Sequence, residues 1–157
     1  MPNYEPWNKE RAAAIIAAHR QMEGATIPIL HSIQAAFGCV PEACVPMIAE
    51  ALNLTRAEVH GVFTFYHDFR REPAGRHVLK LCRAEACQAA GGDHLAAHAE
   101  ARLGVKIGET TPDRRVTLEP IYCLGLCSVA PSAMLDEKIV GRLDEKRLDA
   151  LLKEAQQ

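Results

Sequence analysis

Apolar side chains recur at helical spacing from Ala12 to Tyr66, and the period changes beyond Arg76. Ala12, Ile15, Ile16 and the amphipathic His19 share one face of a first helix, which Asn8 is placed to cap and Gly24 to end. Ile29, Leu30, Ile33 and Phe37 repeat the spacing, with Gly38 just past the last turn. Pro41 suits the first turn of a third helix on Val45, Ile48, Ala49 and Leu52. Thr55-Arg-Ala-Glu58 has the form of a capping box, in which hydroxyl and carboxylate each satisfy an orphan backbone N–H. A fourth helix follows through Val59, Val62, Phe63 and Tyr66.

The pattern breaks at residues 70–76, Arg-Arg-Glu-Pro-Ala-Gly-Arg, a linker by composition. After it, His77–Leu81 and Val116–Ile121 have strand character, as do Ala133–Asp136 and Lys138–Arg142. Leu95, Ala96, Ala99 and Leu103 form a helix face, with Asp93 as its expected cap and Gly104 as its stop. Asp144 can cap a last helix on Leu148, Leu151, Leu152 and Ala155. The order strand, helix, three strands, helix predicts an α/β fold in which helices pack on a small mixed sheet, and a thioredoxin-like architecture fits it.

Four cysteines decide the chemistry. Cys82 and Cys87 are spaced C-x4-C and Cys123 and Cys127 C-x3-C, with thirty-five residues between the pairs. Thiolates suit zinc or iron–sulfur clusters, whereas hard cations prefer oxygen. Zinc usually takes C-x2-C knuckles, which neither pair provides. A [2Fe–2S] core is a larger target with two sulfurs on each iron, and it tolerates looser spacing, so the spacing favours iron–sulfur over a structural zinc module. The bland alternative is four separate buried thiols, since free cysteine is often buried. Gly125 and Pro131 suit a loop whose amides can point at sulfur. Arg83 beside the first cysteine favours reduction and Glu85 opposes it; an all-cysteine site predicts a potential of about −400 mV or somewhat higher.

Other features change the picture less. The 157 residues are 48% hydrophobic and 24% charged, enough for one domain or two small ones. The first twenty-one residues mix charges through their apolar stretch, which leaves no export signal and predicts a cytoplasmic chain without membrane insertion. Cys39 and Cys44 repeat the C-x4-C spacing but read as thiols at a helix end. His94 and His98 lie at i, i+4 spacing without a His-Glu-x-x-His motif, and read as surface histidines. Gly91-Gly92 lacks a phosphate-loop continuation, so no nucleotide site is assigned. Residues 46–60 have a helix-turn-helix outline. However, residues 26–66 contain one basic side chain of the Lys/Arg type, Arg56, against Glu42, Glu50 and Glu58, the reverse of what phosphate contact needs. Nucleic acid is therefore not an expected partner, and a thiol–disulfide oxidoreductase would want a C-x-x-C that is missing.

Cys82-Arg-Ala-Glu-Ala-Cys87-Gln and Leu118-Glu-Pro-Ile-Tyr-Cys123-Leu-Gly-Leu-Cys127-Ser-Val-Ala-Pro131 resemble the thioredoxin-like [2Fe–2S] subunits of respiratory NADH dehydrogenase. They also resemble the relatives of those subunits in NAD-dependent formate dehydrogenases and NAD-reducing hydrogenases. The likeness extends upstream through Val40-Pro-Glu, Ile48-Ala-Glu-Ala-Leu52 and Glu58-Val-His-Gly-Val-Phe-Thr-Phe-Tyr66, so it spans roughly residues 25–155. The Cys82–Gln88 run is most like the gamma subunits of soluble, molybdenum-dependent formate dehydrogenases. Asp113-Arg114 stands where the respiratory subunits commonly have Asp-Gly, and Cys39 and Cys44 are not cluster positions in the family.

The resemblance implies a helical bundle over residues 1–72 that docks on a partner, then a thioredoxin-like domain over 73–157. It implies one [2Fe–2S] cluster on Cys82, Cys87, Cys123 and Cys127. The implied partners are a flavin- and NAD-binding subunit and, for a formate dehydrogenase, a further iron–sulfur/molybdenum subunit. On this reading the chain is an electron-transfer subunit, non-catalytic alone, most akin to those of formate dehydrogenase, with NADH dehydrogenase and NAD-reducing hydrogenase as the alternatives. Phe63, Phe65, Tyr66 and Phe69 are the docking candidates.

Overall fold

The computed structural model describes residues 4–156, and the chain divides into two compact units, Met1–Pro73 and Ala74–Gln157. The first is all helical, with α1 Lys9–His19, α2 Thr26–Phe37, α3 Cys44–Leu52 and α4 Arg56–Phe65. Asn8 caps α1 as expected, its Oδ1 accepting from the Arg11 amide at 2.8 Å. That helix ends at His19 with Arg20 as its cap; Gly24, at φ +65°, belongs to the turn before α2 and does not end α1. Gly38 does close α2 in the left-handed region, and a Cβ there would also lie 2.5–2.7 Å from the Tyr4 ring.

Helix α3 starts at Cys44, later than Pro41 suggested. Pro41 sits in the preceding turn, where its carbonyl accepts from the Cys44 amide at 2.9 Å. The capping box of α4 is formed. Thr55 N–H donates to Glu58 at 2.8 Å, the Glu58 amide donates to Thr55 Oγ1 at 3.2 Å, and the first of these holds the Glu58 carboxyl below its ordinary range. Ile29, Leu30, Ile33, Ile48, Val59 and Phe63 fill the core between the four helices. Helical period separates the aromatic candidates. Phe63, one turn after Val59, is buried and Phe69 joins it, whereas Phe65 is 73% exposed and Tyr66 44%.

The second unit has the expected α/β order with one addition. Strand β1 is His77–Cys82, β2 Val116–Ile121, β3 Ala133–Leu135 and β4 Lys138–Val140. Helix α6 is Gly92–Leu103 and α7 Glu145–Ala155; α5, Glu85–Ala89, is a five-residue helix that a periodic reading is too coarse to detect. The sheet order is β2-β1-β3-β4, with β1 and β2 parallel and β3 antiparallel to both β1 and β4. Register places Leu118, Leu79 and Leu135 in one row across the sheet, all buried beneath α6 and α7. Each such leucine contributes on the order of 1.5–3 kcal/mol by leaving water. Asp144 caps α7, accepting from the Arg147 amide at 2.7 Å. The cap of α6 is Gly91, with Asp93 inside the first turn, because the Asp93 carboxylate is engaged by Arg83 at 3.0 Å.

Candidate metal centre

Parallel pairing is what brings the two cysteine pairs together. Cys82 is the last residue of β1 and stands in register with Ile121, the last residue of β2, so both strands deliver their following loops to the same end of the sheet. Arg83 N–H donates to the Ile121 carbonyl at 2.8 Å, and Cys82 N–H to the Ser132 carbonyl at 3.0 Å, which ties a third segment to that end. The chain turns from Cys82 into α5, whose single buried residue is Cys87. After β2 it turns at Cys123, which takes φ +86°, a left-handed conformation that a side chain tolerates only when its surroundings hold it there. Gly125 at φ +77° then leads into the 3₁₀ turn Cys127–Val129.

The sulfurs meet in pairs. Cys123 Sγ lies 3.6 Å from Cys127 Sγ and accepts a hydrogen bond from the Gly125 amide at 3.3 Å, as a loop with inward amides should allow. Two thiolates about 2.3 Å from one tetrahedral metal stand about 3.8 Å apart, so this pair is already spaced for a common ion. Among the described residues, no three His, Cys, Asp or Glu side chains are assembled around a single ion. Cys87 Sγ sits 3.5 Å from Ser132 Oγ within the core. Burial raises the Cys82 thiol, but the Ala84 amide, Cys87, the Cys123 amide and Ser132 all hydrogen bond to it and together hold it below its ordinary value. Cys127 is raised, first by its hydrogen bond to Cys123, then by the charge of Cys123, with Cys87 and Cys82 adding to it. The Cys127 thiol therefore feels the other three sulfurs.

Exposure divides the pairs. Cys82 and Cys87 are 4% and 1% exposed, whereas Cys123 and Cys127 face solvent. Cys39 and Cys44 belong to the helical unit, and their thiols are held in the protonated form. Burial, with Cys39 adding to it, pushes Cys44 up to about 12, and burial followed by the charge of Glu72 raises Cys39. His94 and His98 pair with Glu145 at 3.5 Å and Asp149 at 2.9 Å, bridging α6 to α7.

The family model that matches residues 12–156 is the thioredoxin-like [2Fe–2S] ferredoxin. The chain belongs to that family. Its cofactor is a [2Fe–2S] cluster and its role is electron transfer, as the cysteine spacing and the resemblance predicted. Among curated relatives of this ferredoxin, the E 2 subunit of the NADH-quinone oxidoreductase of Rhizobium meliloti (strain 1021) is 38% identical over 144 residues, 92% of this chain and 86% of the relative. The E subunit of the NADH-quinone oxidoreductase of Escherichia coli (strain K12) is 38% identical over 128 residues, 82% and 77% of the two chains. The HndA subunit of the NADP-reducing hydrogenase of Solidesulfovibrio fructosivorans is 31% identical over 134 residues, 85% and 78%. The crystal structure of an air-oxidized NAD+-reducing [NiFe]-hydrogenase superposes with a TM-score of 0.66 at 24% identity, covering 96% of this chain and 24% of that one, and so shares the fold.

These relatives favour the NADH dehydrogenase and hydrogenase alternatives over the formate dehydrogenase reading. Among the described residues of this ferredoxin, no helix is long and apolar enough to cross a membrane. Sequence reasoning missed Ser132, a buried hydroxyl that touches both buried sulfurs. Its one signal is its place directly after Pro131 in the second loop. The charge expected from Arg83 is partly offset, because the guanidinium pairs with Asp93.

Proposed function

We propose that this chain binds its [2Fe–2S] cluster through Cys82, Cys87, Cys123 and Cys127. We further propose that it serves as a one-electron relay subunit in a multisubunit NAD-linked oxidoreductase of NADH dehydrogenase or NAD-reducing hydrogenase type. The observation that carries the ligand assignment is the delivery of both cysteine pairs to one end of the parallel β1–β2 pair. When bound, the cluster supplies one-electron chemistry, and hydride transfer belongs to the flavin and nicotinamide of a neighbouring subunit. Cys82 and Cys87 hold the cluster from the core side, Cys123 and Cys127 hold its solvent side, and the Gly125 amide and Ser132 hydroxyl donate to sulfur. The chain alone has no turnover. Phe65 and Tyr66, exposed on the helical unit, are the docking residues for the flavin- and NAD-binding partner.

The run Cys82-Arg-Ala-Glu-Ala-Cys87-Gln and the Asp113-Arg114 departure favour a second reading, a formate dehydrogenase subunit with a further iron–sulfur/molybdenum partner. Anaerobically purified chain is expected to contain two irons and two acid-labile sulfides per chain and to give an EPR signal on reduction. Cys87→Ser and Cys123→Ser should bleach the visible spectrum and Cys39→Ser should leave it alone. A pale protein holding stoichiometric zinc after anaerobic reconstitution sinks the ligand assignment. The assembly purified through a tag on this chain is then assayed with NADH and quinone, with hydrogen and NAD, and with formate and NAD. Activity with formate selects the second reading.

A further inference from the structure

Gly91 and Gly92 occupy neighbouring positions for different physical reasons. Gly91 takes φ +91°, and a Cβ built there meets nothing within 4 Å, so its requirement is conformational. Gly92 opens α6 in a conformation that alanine, the better helix former, adopts freely. What excludes a side chain at Gly92 is a collision. Its Cβ would lie 2.6 Å from the Cys87 carbonyl oxygen, 3.0 Å from the Cys87 carbonyl carbon and 3.6 Å from the Cys82 carbonyl oxygen. These are backbone atoms and cannot swing aside as a side chain would.

We propose that Gly92 is a positioning residue for the cluster, setting how deeply the buried cysteine pair sits against the end of α6. This rests on the assignment of Cys82 and Cys87 as ligands. Restoring ordinary contact at Gly92→Ala needs about 0.8 Å of separation between Cys87 and α6. The helix cannot easily supply it, because Leu95, Ala96 and Ala99, on the same face as Gly92, are packed in the core, and moving α6 away would pull them out of it. Cys87 has to move instead, and it is confined between α6 and the Ser132 hydroxyl at 3.5 Å. The displacement therefore falls on the sulfur positions, which fix cluster geometry and the hydrogen bonds that tune it.

The test uses full-length chain loaded anaerobically with its cluster. Gly92→Ala is expected to fold without cluster, by far-UV circular dichroism, and with cluster to show altered EPR g-values on reduction. It should also lose iron to a chelator roughly 10–100-fold faster than the native chain. Gly91→Ala, strained but touching nothing, should lower the urea midpoint while keeping native g-values. Native g-values and chelator kinetics in Gly92→Ala would overturn the proposal. An unfolded cluster-free Gly92→Ala chain would overturn it too, by placing the role of the residue in the fold at large. The ligand assignment is checked separately by Cys87→Ser; a native spectrum in that variant defeats the assignment, whichever way Gly92→Ala behaves.

Discussion

The Ser132 hydroxyl is the part of the site whose effect on electron affinity can be worked out most directly. It is 2% exposed, lies 3.5 Å from Cys87 Sγ and also hydrogen bonds to Cys82. A metal-bound thiolate has no proton, so the hydroxyl donates. Such a bond to a charged acceptor is worth about 1.5–3 kcal/mol, and it strengthens as the cluster with its thiolates goes from about −2 to about −3 on reduction. If a third to a half of the bond is gained with the added electron, Ser132→Ala loses about 1 kcal/mol from the reduced state alone, or about 40 mV for a one-electron couple. The midpoint should move down by that amount in a titration followed by visible absorbance and EPR. Ser128→Ala, an exposed change beside Cys127, should leave the midpoint within error. A Ser132→Ala protein with full iron content and an unchanged or raised midpoint refutes the reasoning.

Leu79 is fully buried in register between Leu118 and Leu135, so Leu79→Ala should cost about 3–4 kcal/mol, while Ile139→Ala on the exposed face of β4 should cost under about 0.5 kcal/mol. Urea unfolding followed by cluster absorbance separates them, with the fluorescence of Trp7, packed on Phe37 in the helical unit, as an internal reference. Asp149 is held below the ordinary carboxylate range, chiefly by its hydrogen bond to His98 and then by Arg102. A depressed folded value stabilises above the unfolded pKa of about 3.9 and loses that effect as pH falls through the folded one. The advantage of the native chain over Asp149→Asn should therefore be steady above about pH 5 and shrink below about pH 4 in urea titrations. An advantage that grows on acidification contradicts the pairing.

Local chemistry was the most legible part of the chain. Asn8, Thr55 with Glu58, and Asp144 cap the helices the sequence predicts, because a cap is decided by a side chain and an amide three residues away. Gly38 and Gly104 close helices for an equally local reason. Errors arose where a distant partner had the deciding share. Asp93 has the right chemistry for a cap but is engaged by Arg83, ten residues before it, and Gly91 ends up in its place. Helix α5 is shorter than two turns, below what any periodicity can report. For the site, spacing pointed to four cysteines and to a cluster, yet it said nothing of which pair is buried. That division follows from α5 turning Cys87 into the core while Cys123 leaves β2 in a left-handed turn. Ser132 was illegible because a serine after a proline is ordinary loop composition until β1 is seen to pair with β3 beside it.

The parallel register of β1 and β2 also orders the life of a newly made chain. An antiparallel hairpin assembles as soon as its turn is synthesised, but β1 must wait for α5 and α6 to emerge before β2 exists to lie beside it. Until then a nascent chain offers only Cys82 and Cys87 of the proposed ligand set, and Ser132, which ties to Cys82 just before β3, is later still. With the proposed ligand set, iron offered during translation would meet only half of the ligands, so cluster insertion is expected to follow the long-range β1–β2 pairing.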